Sequence, residues 1–203
     1  MTDVVVLDAE DTDVVVLAAH VAQKVEGCLG IRRKGNIYDC KHLCTPDIAD
    51  IIIQLHMHNW ADTVSGFFGH GKTSVMQRIM MSKSNDYLTY LQDVGKHLPA
   101  SQGVMYSMEQ LTIKYVYGNK VSRNLSEARA VQWTKMKKKS TQRIPPDKDS
   151  HALHVQRVNY HAYIWLNFDK PDPPVSPLDH GWYIHYTRWY MPTSSVSSAS
   201  ITS

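Results

Sequence analysis

Three cysteines, Cys28, Cys40 and Cys44, are all the chain has, an odd number with no apolar leader in front of them. That argues against a disulfide scaffold of the secreted kind. No apolar run approaches the roughly 20 residues that a membrane-spanning helix needs. The first residues are acidic, without the cationic-then-apolar order of a targeting peptide. Charge of neither sign dominates: 22 Lys and Arg face 19 Asp and Glu, a formal net charge of +3. That excess is too small by itself to argue for a polyanionic partner. These absences leave an intracellular protein, the nucleus included, with no membrane partner as the expectation. They leave its oligomeric state open.

What is present is enough for one domain with a core: 203 residues, 43% of them hydrophobic. The charges are segregated. Residues 3–13 hold Asp3, Asp8, Glu10, Asp11 and Asp13, whereas nine Lys and Arg between Lys114 and Arg143 face only Glu127. That pattern suits a cation site in one place and a polyanion contact in another. A solvated helix face is the plainer explanation of the basic run.

The stretch 60–79 carries the most chemistry. It holds Asp62, a loop with Gly66, Gly69 and Gly71, then Lys72, Thr73 and a helix-like run. Glycine lets backbone approach a phosphate because no Cβ intervenes. Amides at the start of the following helix, with Lys72, favour negative charge there. The reading is a phosphate-backbone grip beside a metal-binding aspartate, with Asp11 and Asp13 as further ligands for a hard cation such as Mg²⁺ or Mn²⁺. Asp-x-Asp alone is a weak signal, and in most proteins it is a helix cap plus an exposed charge.

Residues 4–7 form a bare β-branched run, as in a buried parallel strand, and an acidic break and a helix from Thr12 follow. Residues 2–7 recur as 12–17. Two short strands around Lys34-Gly35 make a hairpin candidate. Thr45-Pro46-Asp47 opens a helix with Ile48, Ile51, Ile52 and Leu55 on its apolar face. Further helices are expected over 73–81, 86–98, 126–138 and 151–166, and a strand over 111–117 by β-propensity. Residues 169–177 are proline-rich, and the serine run after 193 predicts a disordered tail. Cys40-x-His42-x-Cys44 and His56-x-His58 hint at zinc, but a spacing of two does not match the usual pairing, although Cys40 and Cys44 alone could; buried free cysteines and partly exposed histidines are the expectation. His151 and His154 are expected to cap or pack, and Trp165, Trp182, Tyr183, Tyr186, Trp189 and Tyr190 to pack the C-terminal segment onto the core.

Residues 4–14 resemble the strand and Asp-x-Asp element of the flap-endonuclease-like branch of PIN-domain nucleases. Residues 62–73 resemble that branch's Asp followed by its Gly-x-Gly loop. The chain is more closely similar to a transposon-associated invertebrate group with this core. Leu55-His56, Pro145-Pro146, His151 with Arg157, Tyr160 and Trp165, and Ser176-Pro177 with Gly181-Trp182 fit that group, so the resemblance spans most of residues 4–190. It implies an α/β, PIN-like three-layer sandwich with a parallel sheet, truncated at its N-terminus and extended by C-terminal helices. The division expected is a core over 1–98, a helical and aromatic extension over 99–192, and a tail over 193–203.

The resemblance implies Asp11, Asp13 and Asp62 around divalent metal as the catalytic set of a nuclease. It implies Gly69, Gly71, Lys72 and Thr73 on a nucleic-acid backbone, DNA before RNA. Trp60-Ala61 stands where the group has Gly-Cys, and further acidic ligands of the branch would lie before Val4. The implied nuclease is therefore incomplete or degenerate, with a non-catalytic nucleic-acid-binding module as the alternative. A third reading is literal: Gly66 to Thr73 fits the phosphate-loop pattern G-x-x-x-x-G-K-S/T of nucleotide hydrolases. Its context is poor, because a polar, broken segment leads into it where a buried strand is needed.

Overall fold

The computed structural model describes residues 4–59, 61, 64, 66–136, 141–170, 175–185 and 188–190. The fold is mixed α/β, with one three-stranded sheet, seven α-helices among the described residues, and a separate strand pair near the C-terminus. Strand β1 (Val4–Asp8) pairs in parallel with β2 (Cys28–Arg33), setting Val5 opposite Leu29 and Leu7 opposite Ile31. Helix α1 (Thr12–Ala22) makes the crossover. β2 then turns back through Lys34 and Gly35, at φ 48° and 79°, into antiparallel β3 (Asn36–Asp39). Two consecutive positive φ values are what a tight hairpin turn requires. The expected hairpin is present, and it makes the sheet mixed where a parallel one was expected.

The strand order is β1-β2-β3, so β1 is an edge. Its inner face is covered: Leu7, Leu29 and buried Ile31 pack on Ala18 and Ala22 of α1. On the other face Gly30 forms a floor between Val6 and Ile37, whose methyl carbons lie 3.5 and 3.2 Å from where its Cβ would be. Val4, Val6 and Ile37 there are 66%, 40% and 57% exposed, and Val5 is exposed as well. The valine run thus forms an exposed edge, not the buried strand its composition predicts. The physical reason is its place in the order: β2 occupies the middle.

Helix α2 (Pro46–Asn59) runs through the centre. Pro46 sits at its first position, as expected. α2 packs on α1 on one side and on α7 (Lys148–Leu166) on the other. Its Ile51, Leu55 and Met57 join Val16 of α1, Val75 and Ile79 of α3 (Lys72–Met80), Met108 of α5 (Gln102–Leu111), and Val155 and Val158 of α7 in one apolar cluster. That cluster runs across residue 98. The helices of the C-terminal half are therefore packed into the same core as α1 and α2.

Two segments depart from their sequence-based expectation. Helix α4 ends at Leu91 (Asp86–Leu91), well before residue 98. Gly95 follows at φ 79°, a conformation no helix continues through. Its amide donates to Asn159 Oδ1 at 2.8 Å, and Asn159 Nδ2 donates to the His97 carbonyl at 2.8 Å. The chain stops being helical here in order to lay bare backbone against α7. Residues 111–117, expected as a strand, instead continue α5 as a π-helical turn over Thr112–Val116, with the Tyr117 amide donating to the Thr112 carbonyl at 3.1 Å. Ile113, Tyr115 and Val116 are buried within the helical layer, and that packing overrides local β-propensity.

Helix α6 (Leu125–Lys135) and the strand pair β4 (Tyr183–His185) and β5 (Arg188–Tyr190) complete the described elements. Buried Arg157 of α7 donates from Nη1 to the Gly181 carbonyl at 3.0 Å. Trp182 packs edge-on against Tyr160, ring centroids 5.3 Å apart. The expectation that C-terminal aromatics pack on the core therefore holds for Trp182. The serine-rich tail of residues 193–203 lies outside the described residues.

A Cβ at position 95 would stand 2.7 Å from the Ala162 Cβ and 2.8 Å from its carbonyl carbon, at a positive φ. Gly95→Ala should therefore destabilise the protein by on the order of 3 kcal/mol, from overpacking plus a left-handed residue. Gly35→Ala, with a similar φ and nothing within 4 Å, should cost only about 1 kcal/mol. Urea midpoints of the two variants check this contrast.

Candidate functional site

The acidic pair sits where β1 hands over to α1. Asp11 is the N-cap of α1, and its Oδ1 accepts from the Asp13 amide at 2.9 Å. Ser, Thr, Asp and Asn are favoured there because a side-chain oxygen satisfies an orphan amide. Asp13, in the first turn, accepts at Oδ1 from the Nε2 of buried His56 at 2.8 Å. The imidazole of His56 in turn stacks on Trp165 of α7, centroids 5.9 Å apart. Each carboxylate thus has one oxygen in a structural bond. Asp62, the third residue of the expected metal set, lies outside the described residues. Among the described residues, no group of three or more His, Cys, Asp or Glu side chains is arranged to hold a metal ion. Cys40 is buried and His42 pairs with Asp39 at 2.9 Å, so the Cys40-His42-Cys44 stretch is packing and surface chemistry.

Behind the acidic pair lies a chain of buried imidazoles that the sequence did not single out as a unit. The Thr112 hydroxyl donates to the Met108 carbonyl at 2.8 Å. Its lone pairs then take the Nε2–H of His58 at 3.1 Å and of His151 at 2.9 Å. His58, so protonated at Nε2, presents a lone pair at Nδ1. The Nε2–H of His154 reaches it at 3.1 Å and the His58 carbonyl at 3.0 Å. The bonding is complete with His58 and His151 neutral. Burial drives the His58 pKa well below its ordinary value, helped by His154 and His151, and burial takes His151 to about 4.

The glycine loop is anchored to this chain by Phe67. Its ring meets His58 and His154 edge-on at 5.1 and 4.9 Å and Tyr117 at 6.0 Å. Gly69 follows at φ 77° with open space where a Cβ would point. Gly71 caps α3 without a side chain, and among the described residues the Lys72 and Thr73 amides have no acceptor. Thr73 is exposed. A backbone turn that leaves its first helical amides open favours an anion. The last described element before this loop is α2, a helix.

Cations from three parts of the chain face the loop. His70 packs against Tyr117, centroids 4.4 Å apart. Its pKa is lowered first by burial, then by the positive charges of Arg78 and Arg143. Arg129, which donates to the Pro145 carbonyl, opposes the rise that burial gives the Tyr117 phenol, which still reaches about 12. The basic run of the sequence therefore brings Arg143 within electrostatic reach of His70 in the loop, and Arg129 within reach of Tyr117, which packs on His70. Arg78, on α3, was not legible as part of that set, because it lies outside the basic run, in a helix otherwise apolar or neutral after Lys72.

Comparisons with protein-family models, curated proteins and solved structures find no match for this chain.

The imidazole chain has a pH consequence. A histidine whose folded pKa lies below its unfolded value of 6.5 gives the unfolded state the greater proton uptake in acid. Stability should be full above about pH 6.5 and fall as pH drops toward about 4, by on the order of 3 kcal/mol for His151 alone. Thermal melts from pH 7.5 to 4.5 test this, and a flat profile over that range would contradict the neutral network.

Proposed function

We propose that this chain is a flap-endonuclease-like, PIN-related α/β module that grips a nucleic-acid backbone, DNA before RNA. In this reading the acidic pair is the remainder of a Mg²⁺ or Mn²⁺ site acting on phosphodiesters. The observation that carries it is the bond between Asp13 and His56. It pins the head of α1 to α2 one turn before α2 ends and the chain enters the segment of Asp62 and the glycine loop. Acidic pair and phosphate grip are thereby tied through one rigid helix.

Asp11, Asp13 and Asp62 are the residues that would hold the cation. The donor set is hard oxygen, which suits Mg²⁺ or Mn²⁺. The fit is partial, since Asp11 and Asp13 each keep one oxygen outside the bonds described. When bound, the cation would supply water activation and charge neutralisation at a phosphodiester. The chain's own residues do the rest: His56 orients Asp13, the Gly69–Gly71 turn and the α3 amides hold phosphate oxygens, and Lys72, Arg78 and Arg143 provide the field. A PIN-like sandwich carries helices on both faces of its sheet. Here α1 covers one face, and Val4, Val6 and Ile37 leave the other exposed.

The non-catalytic reading is favoured by a specific observation, the prior engagement of Asp11 as a cap and of Asp13 by His56. The two readings part in one experiment. Asp13→Asn keeps an oxygen for His56 and removes the charge a cation needs. A residual nuclease should show Mn²⁺-dependent cleavage of single-stranded or flapped DNA that Asp13→Asn reduces by tenfold or more, roughly the loss seen when metal-site support is removed. A pure binding module should show no cleavage in either form. In both cases Lys72→Ala should weaken binding and lower the slope of log affinity against log salt by about 1. Unchanged binding and slope would remove the phosphate grip.

A further inference from the structure

A polar cavity of about 520 Å³ opens beside the C-terminal end of α3. Arg78, Ser82, Asp86, Lys114 and Lys120 line it, with Gly118. Neither Asp11 nor Asp13 lines it, and its chemistry is set by the geometry of one guanidinium. Arg78 Nη1 donates to the carbonyls of Tyr115, at 3.1 Å, and of Val116, which holds the fork against the π-helical turn. Among the described residues, Nε and Nη2 of Arg78 donate to nothing. Gly118, at φ 66°, keeps that edge bare by lacking a Cβ, which would stand in van der Waals contact with Nε at 3.5 Å. The result is a guanidinium fixed in orientation on one side and open on the other, which suits two-point binding of an oxyanion.

The charges around it leave a positive balance. Asp86 is already spent, accepting from Lys114 Nζ at 2.8 Å and from the Tyr115 hydroxyl. Burial alone would raise its pKa, but these two bonds outweigh that and hold it at about 2. Asp86 and Lys114 therefore cancel as a pair, and Lys114 also donates to Tyr90. Arg78 and exposed Lys120 remain as two uncompensated cations in the lining.

We propose that this cavity binds a phosphate group, with two oxygens on the open edge of Arg78 and the remaining charge facing Lys120. Two uncompensated cations suit a phosphate group, either the dianion of a monoester or the monoanion of a diester. The volume exceeds what a bare phosphate fills, so the phosphate is carried on a larger group, as in a nucleoside monophosphate or the phosphate of a nucleic-acid strand. This site does not depend on Asp11, Asp13 or Asp62, and it stands whether or not the chain cleaves anything.

The test uses the full chain at constant ionic strength, with chloride as the competing anion. Inorganic phosphate and AMP are titrated by calorimetry, and a fluorescent single-stranded oligothymidylate by anisotropy. Arg78→Lys, which keeps charge but loses the fork, should weaken the bound probe about tenfold, and Lys120→Gln about threefold. Saturable binding of phosphate or AMP with both sensitivities identifies a small phosphorylated ligand. Binding of the oligonucleotide alone, with the same sensitivities, identifies the phosphate of a strand. Because Arg78 also ties down backbone, a failure of Arg78→Lys to fold leaves the decision to Lys120→Glu, at an exposed position, which should abolish most of the affinity. Absence of saturable binding by any probe, or affinity unmoved by the Lys120 variants, overturns the proposal.

Discussion

Over its last two turns α2 has no solvent-facing side, so its polar groups find partners inside the protein or go without: among the described residues Gln54 Oε1 and Asn59 Oδ1 are buried with no hydrogen bond, whereas both imidazoles are engaged. Gln54, His56, His58 and Asn59 are all buried there beside Ile53, Leu55 and Met57. An unmet polar group in such a place costs on the order of 1–3 kcal/mol. The surrounding elements are therefore fixed by what they offer α2. The head of α1 offers Asp13 to His56. The π-helical turn offers Thr112 to His58, and α7 offers His154. α1 adds a further tie, since His20 Nδ1–H donates to the Ala49 carbonyl at 2.8 Å, leaving its Nε2 to accept from Lys24. The sheet layer and the C-terminal helices meet through α2, and neither could shift without breaking a buried bond.

The glycine loop inherits its position from the same constraint. Phe67 of the loop reaches the imidazoles, packing between His58 and His154. A loop rich in glycine has little enthalpy of its own to define its path. One aromatic wedge in a rigid cluster supplies that definition and leaves the Gly69–Gly71 backbone free to face outward. Tyr117 braces the opposite side of Phe67 and His70, and Arg78 ties the turn that carries Tyr117. The cations thus meet the loop because the same residues that bury its aromatic side chains also carry or anchor them.

Much of this was legible in the sequence where local signals agree with the fold. Pro46 after Thr45 marked α2, Lys34-Gly35 marked the hairpin, and the strand-acid-helix pattern marked β1 and α1. Three features were not legible. The β-branched residues 111–117 carry a strand signal, and only their burial beside α2 and α3 makes a helical turn the better packing. The exposure of β1 depends on strand order, which no residue in β1 encodes. The imidazole chain joins His58, His151 and His154 through Thr112, whereas the sequence offers only the short-range pairs His56-x-His58 and His151 with His154. Spacing within one helix places His151 and His154 a turn apart, but nothing in it says that Thr112 will sit between two imidazoles.

The acidic pair shows how a structural role and a chemical one compete for the same atoms. A carboxylate has two oxygens, and in Asp11 and Asp13 one of each is committed to fold: a cap and an imidazole. That commitment orients the remaining oxygen, as a partner behind a ligand does at metal sites. It also lowers the charge each carboxylate can offer, because a bonded oxygen gives up part of its acceptor strength. Two such half-engaged acids make a weak site by themselves. Divalent cations of the Mg²⁺ type then bind mainly where substrate phosphate supplies further oxygens. In the proposed function, the glycine loop and the arginines around it would bring such oxygens in, so a cation at Asp11 and Asp13 would follow phosphate binding and not precede it.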